Sequence, residues 1–308
     1  MIEKLKNMTK NQKIISAVIA AVVIILIIVA VVFGMNGKKT VPDSLSSVLV
    51  PDAVEEIKEE VLDVVAPLSE RKKSLEEAKA INPKAYMWMS IPGTNMNYPI
   101  IFDADNDNAY WINRNLEGEE VESSGTDVKE TVTYASFDTI FDADASKNIV
   151  LFGHNWNNIN EPYIIGNKPE YIMMAQVPSF TDKDFASKYQ YIYTNTEDEE
   201  EIWQIFSVMY SESKWPDDLG VQYIEANPNS EQFATLIDEM QNRSIFDYDI
   251  SVNPDDKILT LSTCTRYYSN AGDTQRLVVV AKRLGSEDKK DSPCEVTINE
   301  DVKAPPFS

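Results

Sequence analysis

The chain has 308 residues and a formal net charge of −22 at pH 7. Such an acidic composition argues against a nucleic acid as partner, because phosphates are bound by clustered Lys and Arg side chains. Its two cysteines are too few for the disulfide framework that stabilises many exported domains.

The N-terminal part of the chain predicts a membrane anchor. Residues 14–33 contain no charged residue and no proline, and a helix of that length spans the hydrocarbon core of a bilayer, about 30 Å. Lysines are concentrated in residues 1–13, so the positive-inside bias places the N-terminus in the cytoplasm and the rest of the chain outside the cell. A cleaved signal peptide is the alternative, although its apolar core is normally shorter and residues 33–36 make a poor cleavage site. We therefore expect a single-pass protein of the cell membrane, with a linker at residues 34–50.

Helices and then short strands follow the linker. Residues 51–83 have the apolar spacing of helices, and Pro67 divides them into a pair whose second member lies near residues 69–80. Short strands separated by turns dominate residues 84–285. The candidates are residues 87–91, 96–102, 131–136, 148–154, 190–194, 201–211, 258–264 and 275–284. This pattern predicts a mainly β fold, a closed or nearly closed barrel rather than a parallel α/β sheet.

Two helices are expected among these strands. A short one is predicted at residues 182–188, and a longer one at residues 229–242 has Ser230 as its expected N-cap. The longer helix has an apolar face formed by Phe233, Leu236, Ile237 and Met240. The acidic stretch 117–130 predicts a loop. The tail, residues 286–308, is polar and lacks apolar periodicity, so we expect it to be loosely ordered.

The residues with the clearest chemical potential are the single histidine, His154, and one cysteine, Cys264. Alone, a histidine or a buried cysteine usually has a structural role. Here each stands at the C-terminal end of an apolar, β-branched run, and two adjacent strands that end at the same edge of a sheet bring such side chains together. A cysteine is nucleophilic as a thiolate, which a neighbouring imidazole stabilises. The pair therefore predicts covalent catalysis.

Zinc binding is the rival chemistry for these residues. One histidine and two cysteines, without a C-x-x-C or H-x-x-x-H spacing, do not form a zinc site. A disulfide between Cys264 and Cys294 would remove the candidate nucleophile, so Cys294 is expected to be a free thiol. We predict that the protein uses neither a metal nor another cofactor.

Several segments together resemble the class B sortases. They are IPGT and NYPI within residues 91–100, DND and AYWINRNLEG within residues 105–118, GHN at 153–155, TLSTC at 260–264, and QRLVVVAK around Arg276. Each segment is short, but their order and spacing extend over most of residues 86–284. An N-terminal anchor also fits such an enzyme. Class C is a poorer match, because no Asp-Pro-aromatic motif precedes the barrel.

The resemblance implies an eight-stranded β-barrel with an N-terminal helical pair and an inserted helix before the cysteine strand. Such an enzyme is a cysteine transpeptidase. Cys264 would attack the threonine carbonyl of a sorting signal similar to NPQTN or NPKTG and hold the surface protein as a thioacyl intermediate. An amine of a peptidoglycan precursor or of a pilin would release it. His154 would be the acid and base, and Arg276 would bind the substrate and stabilise the oxyanion.

Arg276 has two rivals, Arg266 and Arg283. In a strand pair, the residue opposite the end of one strand lies near the start of the returning strand, which favours Arg276 as the partner of Cys264. Arg266 is expected in the exposed connecting loop. The period of two places Arg283 on the opposite face of the strand from Arg276.

By the same resemblance, the groove for the sorting signal is lined by Asn108, Ile112, Tyr223, Ile224, Ser262 and Thr263. Each also has an ordinary structural explanation, as a core, turn or half-buried residue.

The chain departs from the class B pattern after the cysteine. Thr265 stands where class B enzymes often have an acidic residue, and the next loop carries Tyr267 and Tyr268. These differences leave the sorting motif and the acceptor open. Two other functions also stay open: a cysteine protease or hydrolase that uses water, and a membrane-anchored adhesin that does not need Cys264.

Overall fold

The computed structural model describes residues 64–121, 131–141, 145–156, 158–166, 173–268, 274–285, 288 and 292–305. The predicted cytoplasmic segment, membrane helix, linker and first N-terminal helix lie outside these ranges, as does most of the acidic stretch. Among the described residues, no helix has the length and apolar character needed to span a membrane.

The described part of the chain is built mainly from β-strands. They are β1 (Ala85–Ser90), β2 (Asn97–Ile101), β3 (Thr133–Ala135), β4 (Asn148–Phe152), β5 (Tyr191–Asn195), β6 (Glu200–Glu212), β7 (Phe246–Tyr248), β8 (Ile258–Cys264), β9 (Gln275–Arg283) and β10 (Val296–Ile298). Eight strands close into a barrel in the order β1, β2, β3, β4, β8, β9, β6 and β5, and β5 pairs with β1. Each barrel strand coincides with one predicted strand, so the predicted barrel is confirmed.

Four α-helices accompany these strands in the described ranges. They are α1 (Leu68–Ile81), α2 (Asn108–Trp111), α3 (Lys183–Lys188) and α4 (Ser230–Arg243). All but α2 were predicted, and α2 is only 4 residues long, too short to give a periodic signal.

The N-cap of α4 is Asn229, so the expectation that Ser230 would cap this helix was wrong. The Asn229 side chain accepts a hydrogen bond from the Gln232 N–H, and the Gln232 side chain accepts one from the Asn229 N–H. Asparagine caps a helix as well as serine does. Only the asparagine has a glutamine three positions further on, as a capping box requires.

The polar tail is partly ordered by pairing, which corrects the expectation of a loosely ordered segment. Strand β10 pairs antiparallel with β7 in a two-stranded sheet outside the barrel. The Gln190 side chain also bonds to the backbone of Cys294 through both its amide oxygen and its nitrogen, at 2.8 Å each. A three-residue strand with one buried residue, Val296, gives no periodicity, so the sequence did not reveal it.

The alternation of side chains in β8 decides which way the candidate nucleophile faces. Leu259 and Leu261 belong to the apolar cluster inside the barrel, whereas Ile258 packs with α4 on its outer side. By the period of two, Ser262 and Cys264 lie on the outer face with Ile258. The cysteine therefore faces away from the barrel interior.

The central strands of the barrel bring three chain segments to one edge. Strand β4 is parallel to β8, with Phe152 opposite Ser262, and β8 is antiparallel to β9. The C-terminal ends of β4 and β8 therefore lie beside the start of β9.

Candidate active site

Cys264 is the last residue of β8, and its cross-strand neighbour is Arg276 in β9. Directly opposed residues in an antiparallel pair have side chains on the same face, with Cβ atoms about 4.5–5.5 Å apart. The thiol is free and half-buried. Arg276 is anchored through its Nη1, which donates to the Gln275 carbonyl at 3.0 Å. The strand register therefore places the two side chains on the same face, and both line the same cavity.

His154 lies level with Cys264 across the parallel pair β4 and β8. Phe152 is opposite Ser262, and counting two residues further along both chains reaches His154 and Cys264. Two hydrogen bonds hold the strand ends together beyond the last ladder position. Thr263 Oγ1 donates to the Gly153 carbonyl at 2.7 Å, and Asn155 Nδ2 donates to the Cys264 carbonyl at 3.0 Å. The predicted meeting of the two strand ends is thus present.

The imidazole of His154 is oriented by a backbone carbonyl. Its Nε2 lies 2.7 Å from the Ile112 oxygen. A carbonyl oxygen can only accept, so Nε2 carries a proton in both charge states of the ring, and Nδ1 is the nitrogen that gains or loses one. Burial lowers the pKa of His154, and the hydrogen bond to Ile112 raises it less, so the pKa lies below its usual range. The neutral imidazole is therefore favoured.

A cavity of ≈ 320 Å³ opens beside these groups. Its lining includes His154, Cys264 and Arg276, together with the six residues predicted to contact the substrate: Asn108, Ile112, Tyr223, Ile224, Ser262 and Thr263. Sequence reasoning missed the other lining residues, Ala109, Tyr134, Phe152, Gly153 and Ser213. A strand-face argument could have found Phe152, which shares its face with His154.

Polar side chains fix the walls of this cavity. Asn108 Nδ2 donates to Ser136 Oγ at 3.1 Å, and its Oδ1 accepts from the Phe137 N–H at 3.0 Å. On the other side, the Tyr223 hydroxyl lies 3.1 Å from Ser262 Oγ. The hydroxyl of Thr263 is already bonded to Gly153, so this residue contributes shape rather than a free donor.

The other arginines near the site are placed differently from Arg276. Arg266 is exposed in the loop after β8, and its backbone N–H bonds to the Ile159 carbonyl. Arg283 pairs with Glu201, with Nη1 3.0 Å from Oε1. Neither lines the cavity.

The positions that differ from the class B pattern surround the end of β8. The Thr265 hydroxyl lies 2.6 Å from the Tyr163 hydroxyl. The ring of Tyr267 stacks on Tyr210, with centroids 4.1 Å apart, and Tyr268 contacts both rings. Within the described ranges, no group of His, Cys, Asp or Glu side chains is arranged to hold a metal ion.

Comparison with known proteins finds relatives in sequence and in fold. No family model matches the chain. Sortase B of Staphylococcus aureus is 24% identical over 208 residues, which is 67% of this chain and 73% of that protein. Sortase B of Listeria monocytogenes is 26% identical over 196 residues, 62% of this chain and 66% of that protein. The crystal structure of Clostridium perfringens sortase B aligns with a TM-score of 0.54 at 26% identity, over 68% of this chain and 99% of that one.

The chain is similar to the class B sortases in both sequence and fold. Its closed barrel of eight strands is the fold of those solved enzymes. For this chain, the questions are then which reaction the cavity supports and which side chains would carry it out.

Proposed function

We propose that this protein is a class B sortase, which cleaves a C-terminal sorting signal and transfers the surface protein to an amine, with Cys264 as nucleophile. His154 serves as acid and base, and Arg276 binds the substrate carbonyl. The observation that carries the proposal is the strand register, which sets Cys264 opposite Arg276 and level with His154 at one cavity.

In the first step, the Cys264 thiolate attacks the carbonyl carbon before the scissile bond, and a C–S bond forms. The carbonyl oxygen gains negative charge, and the Arg276 guanidinium supplies forked N–H donors to it. As the C–N bond breaks, the His154 imidazolium gives its proton to the departing amine. The thioacyl enzyme and a neutral imidazole remain.

In the second step, the unprotonated amine of the acceptor attacks the thioester. His154 takes the proton that this amine loses, and the Cys264 thiolate leaves. The imidazolium and the thiolate are thereby restored together. If water attacks instead of the amine, the same intermediate is hydrolysed, which is the alternative activity.

The cavity supports a short extended peptide of mixed character. Ile112, Ile224 and Phe152 provide apolar walls, whereas Asn108 and the Tyr223–Ser262 pair provide polar contacts. A signal similar to NPQTN or NPKTG combines one proline with amide and hydroxyl side chains. We propose this motif class as the substrate.

A relative suggests the probe for the acceptor. Sortase B of Staphylococcus aureus has been solved with a substrate, and a sortase B has been solved in complex with triglycine. For the present enzyme we propose a primary amine of a peptidoglycan precursor or a pilin as acceptor, and triglycine is the first amine to test.

The membrane anchor belongs to the same proposal. Residues 14–33 lie outside the described residues, and their uncharged, apolar sequence supports a single span with the N-terminus in the cytoplasm. The barrel would then work at the outer face of the membrane on surface proteins that have crossed it.

The full-length enzyme in detergent, given peptides that contain NPQTN or NPKTG, tests the proposal. With triglycine present, mass spectrometry should find the N-terminal fragment joined to triglycine. Cys264→Ala should abolish both cleavage and joining, whereas Cys294→Ala, the matched control at the other thiol, should retain both. Cleavage that yields only the hydrolysed fragment with every amine tried would establish the hydrolase alternative.

A further inference from the structure

The imidazole of His154 is oriented by the carbonyl oxygen of Ile112. Any contact that fixes this oxygen therefore also fixes the orientation of the ring. The Ile112 carbonyl follows directly after α2. The Ile112 side chain lines the substrate cavity and is 43% exposed. Burial of this side chain therefore does not hold the Ile112 carbonyl in place.

The neighbouring residue, Trp111, ties this segment to the barrel. Trp111 is buried, and its indole Nε1 donates to Asp103 Oδ2 at 3.1 Å. At the start of α2, Asp107 accepts from the Ala109 N–H at 3.0 Å and caps the helix. The indole bond therefore links the C-terminal end of α2 to the residues that follow β2, in addition to the packing of the Trp111 ring against Leu75, Ile101 and Tyr134.

Asp103 is a buried carboxylate with a full set of donors. It is 4% exposed, and it accepts from Asn106 Nδ2 at 2.9 Å, from the Asp105 N–H at 3.1 Å and from the Lys84 ammonium. Burial opposes the charge on this carboxyl, but the hydrogen bonds from Lys84, Asn106 and Trp111 together hold its pKa below the usual range. A buried anion is stable only with such partners, and the geometry of all of them becomes fixed with it.

We propose that Asp103 is a positioning residue of the reaction: through Trp111 it holds the Ile112 carbonyl on Nε2 of His154 and so keeps Nδ1 as the nitrogen that exchanges the proton. The inference rests on the proposed function of His154. It gives a role to a carboxylate that neither contacts the cavity nor takes part in the steps above.

The direction of the effect follows from the contacts. The Ile112 bond raises the pKa of His154, so losing it lowers the fraction of imidazolium at a given pH. The tautomer of the neutral ring is also no longer fixed, because either Nδ1 or Nε2 can then carry the single proton. A purely structural role for Asp103 would change the resistance to unfolding and leave the histidine unchanged.

Because the chain has one histidine, its ring can be observed without ambiguity. The test is ¹⁵N NMR of full-length enzyme labelled at histidine, in detergent, for wild type, Asp103→Asn and Trp111→Phe. Asp105→Asn is the matched control: it makes the same chemical change two residues away, at a side chain that is 84% exposed. The tautomer and the pKa of His154 are read directly, so they are measured whether or not sorting peptides are cleaved.

The wild type and Asp105→Asn should show the Nε2–H tautomer, and the two other variants should show mixed tautomers and a lower His154 pKa. The turnover number on a sorting peptide should fall about tenfold in those two variants, a fraction of what general acid–base catalysis contributes. An Nδ1–H tautomer in the wild type, or wild-type spectra in Trp111→Phe, would overturn the proposal. So would equal spectral changes in Asp105→Asn. If Asp103→Asn does not fold, the tautomer and the pKa of His154 in Trp111→Phe alone test the proposal.

Discussion

At the scale of the residue, the surroundings of His154 set the charge state of its ring. The ring is bonded to the Ile112 carbonyl and not to a carboxylate, and burial keeps its pKa low. A Ser-His-Asp arrangement stabilises the imidazolium with an anion, and a carbonyl does this less strongly. The imidazolium form of His154 is therefore disfavoured, and we predict that only a minority of molecules hold Cys264 as thiolate and His154 as imidazolium together.

We expect a bell-shaped dependence of kcat/KM on pH, because activity needs the singly protonated pair. The acid limb should lie below about pH 6.5, the ordinary histidine value, since burial lowers the pKa of His154. The measurement is kcat/KM on a sorting peptide from acid to alkaline pH, compared with an NMR titration of the ring. A rate that does not vary with pH through the neutral range would contradict this account.

Arg276 is expected to act through the shape of its guanidinium and not only through its charge. Arg276→Lys keeps the positive charge but loses the fork, so kcat should fall by about a hundredfold, as when an oxyanion donor is removed. Stability should barely change, because the side chain is half-buried at the start of β9. Arg266→Lys, at the exposed rival, is the control. Near wild-type turnover in the Arg276 variant would assign the role to general electrostatics.

At the scale of the element, α4 covers the outer face of the barrel beside β8, the strand that carries Cys264. Its residues Phe233, Leu236 and Met240 are fully buried against β6, β8 and β9. The helix begins with a capping box, which satisfies backbone N–H groups that would otherwise lack partners.

Asn229→Ala should therefore lower the free energy of unfolding by about 1 kcal/mol. Ser230→Ala, one position later and inside the helix, should have little effect. Denaturant unfolding of the two variants under the same conditions makes the comparison. Equal losses would show that the cap seen in the structure does not stabilise the helix.

At the scale of the whole molecule, every residue proposed to act on the substrate lies in a barrel strand or in a segment that connects the strands, and the predicted anchor lies in residues 14–33. These two parts of the chain serve different purposes. In the proposed function, the barrel carries out the chemistry, and the anchor would keep the enzyme on the same surface as the proteins it modifies, which would raise their effective concentration.

Removing residues 1–50 should give a protein that still cleaves sorting peptides in solution, with a rate close to that of the full chain. The same deletion should abolish sorting in cells. N-terminal sequencing of the mature protein is the control for the premise, since a start near residue 35 would indicate a secreted enzyme. Normal sorting by the truncated protein in cells would show that a shared membrane is unnecessary.

The sequence by itself determined the strands of the barrel and singled out two candidate catalytic residues, His154 and Cys264. Alternating β-branched runs are a local signal, and a lone histidine leaves no other candidate for the imidazole. The same residues resembled a known family, which supplied the groove residues around Asn108 and Tyr223. The choice of Arg276 over Arg266 also followed from a local rule, that a returning strand starts opposite the end of the preceding one.

Tertiary structure alone decided which atoms support those residues. The parallel pairing of β4 with β8 joins segments far apart in the chain, and its register comes from packing on both faces. The Ile112 carbonyl that orients His154 is a backbone atom, which every residue has, so no side-chain pattern reveals it. The same holds for the docking of β10, which depends on backbone pairing. The role of Asp103 depends on distances between side chains, and these exist only once the barrel has closed.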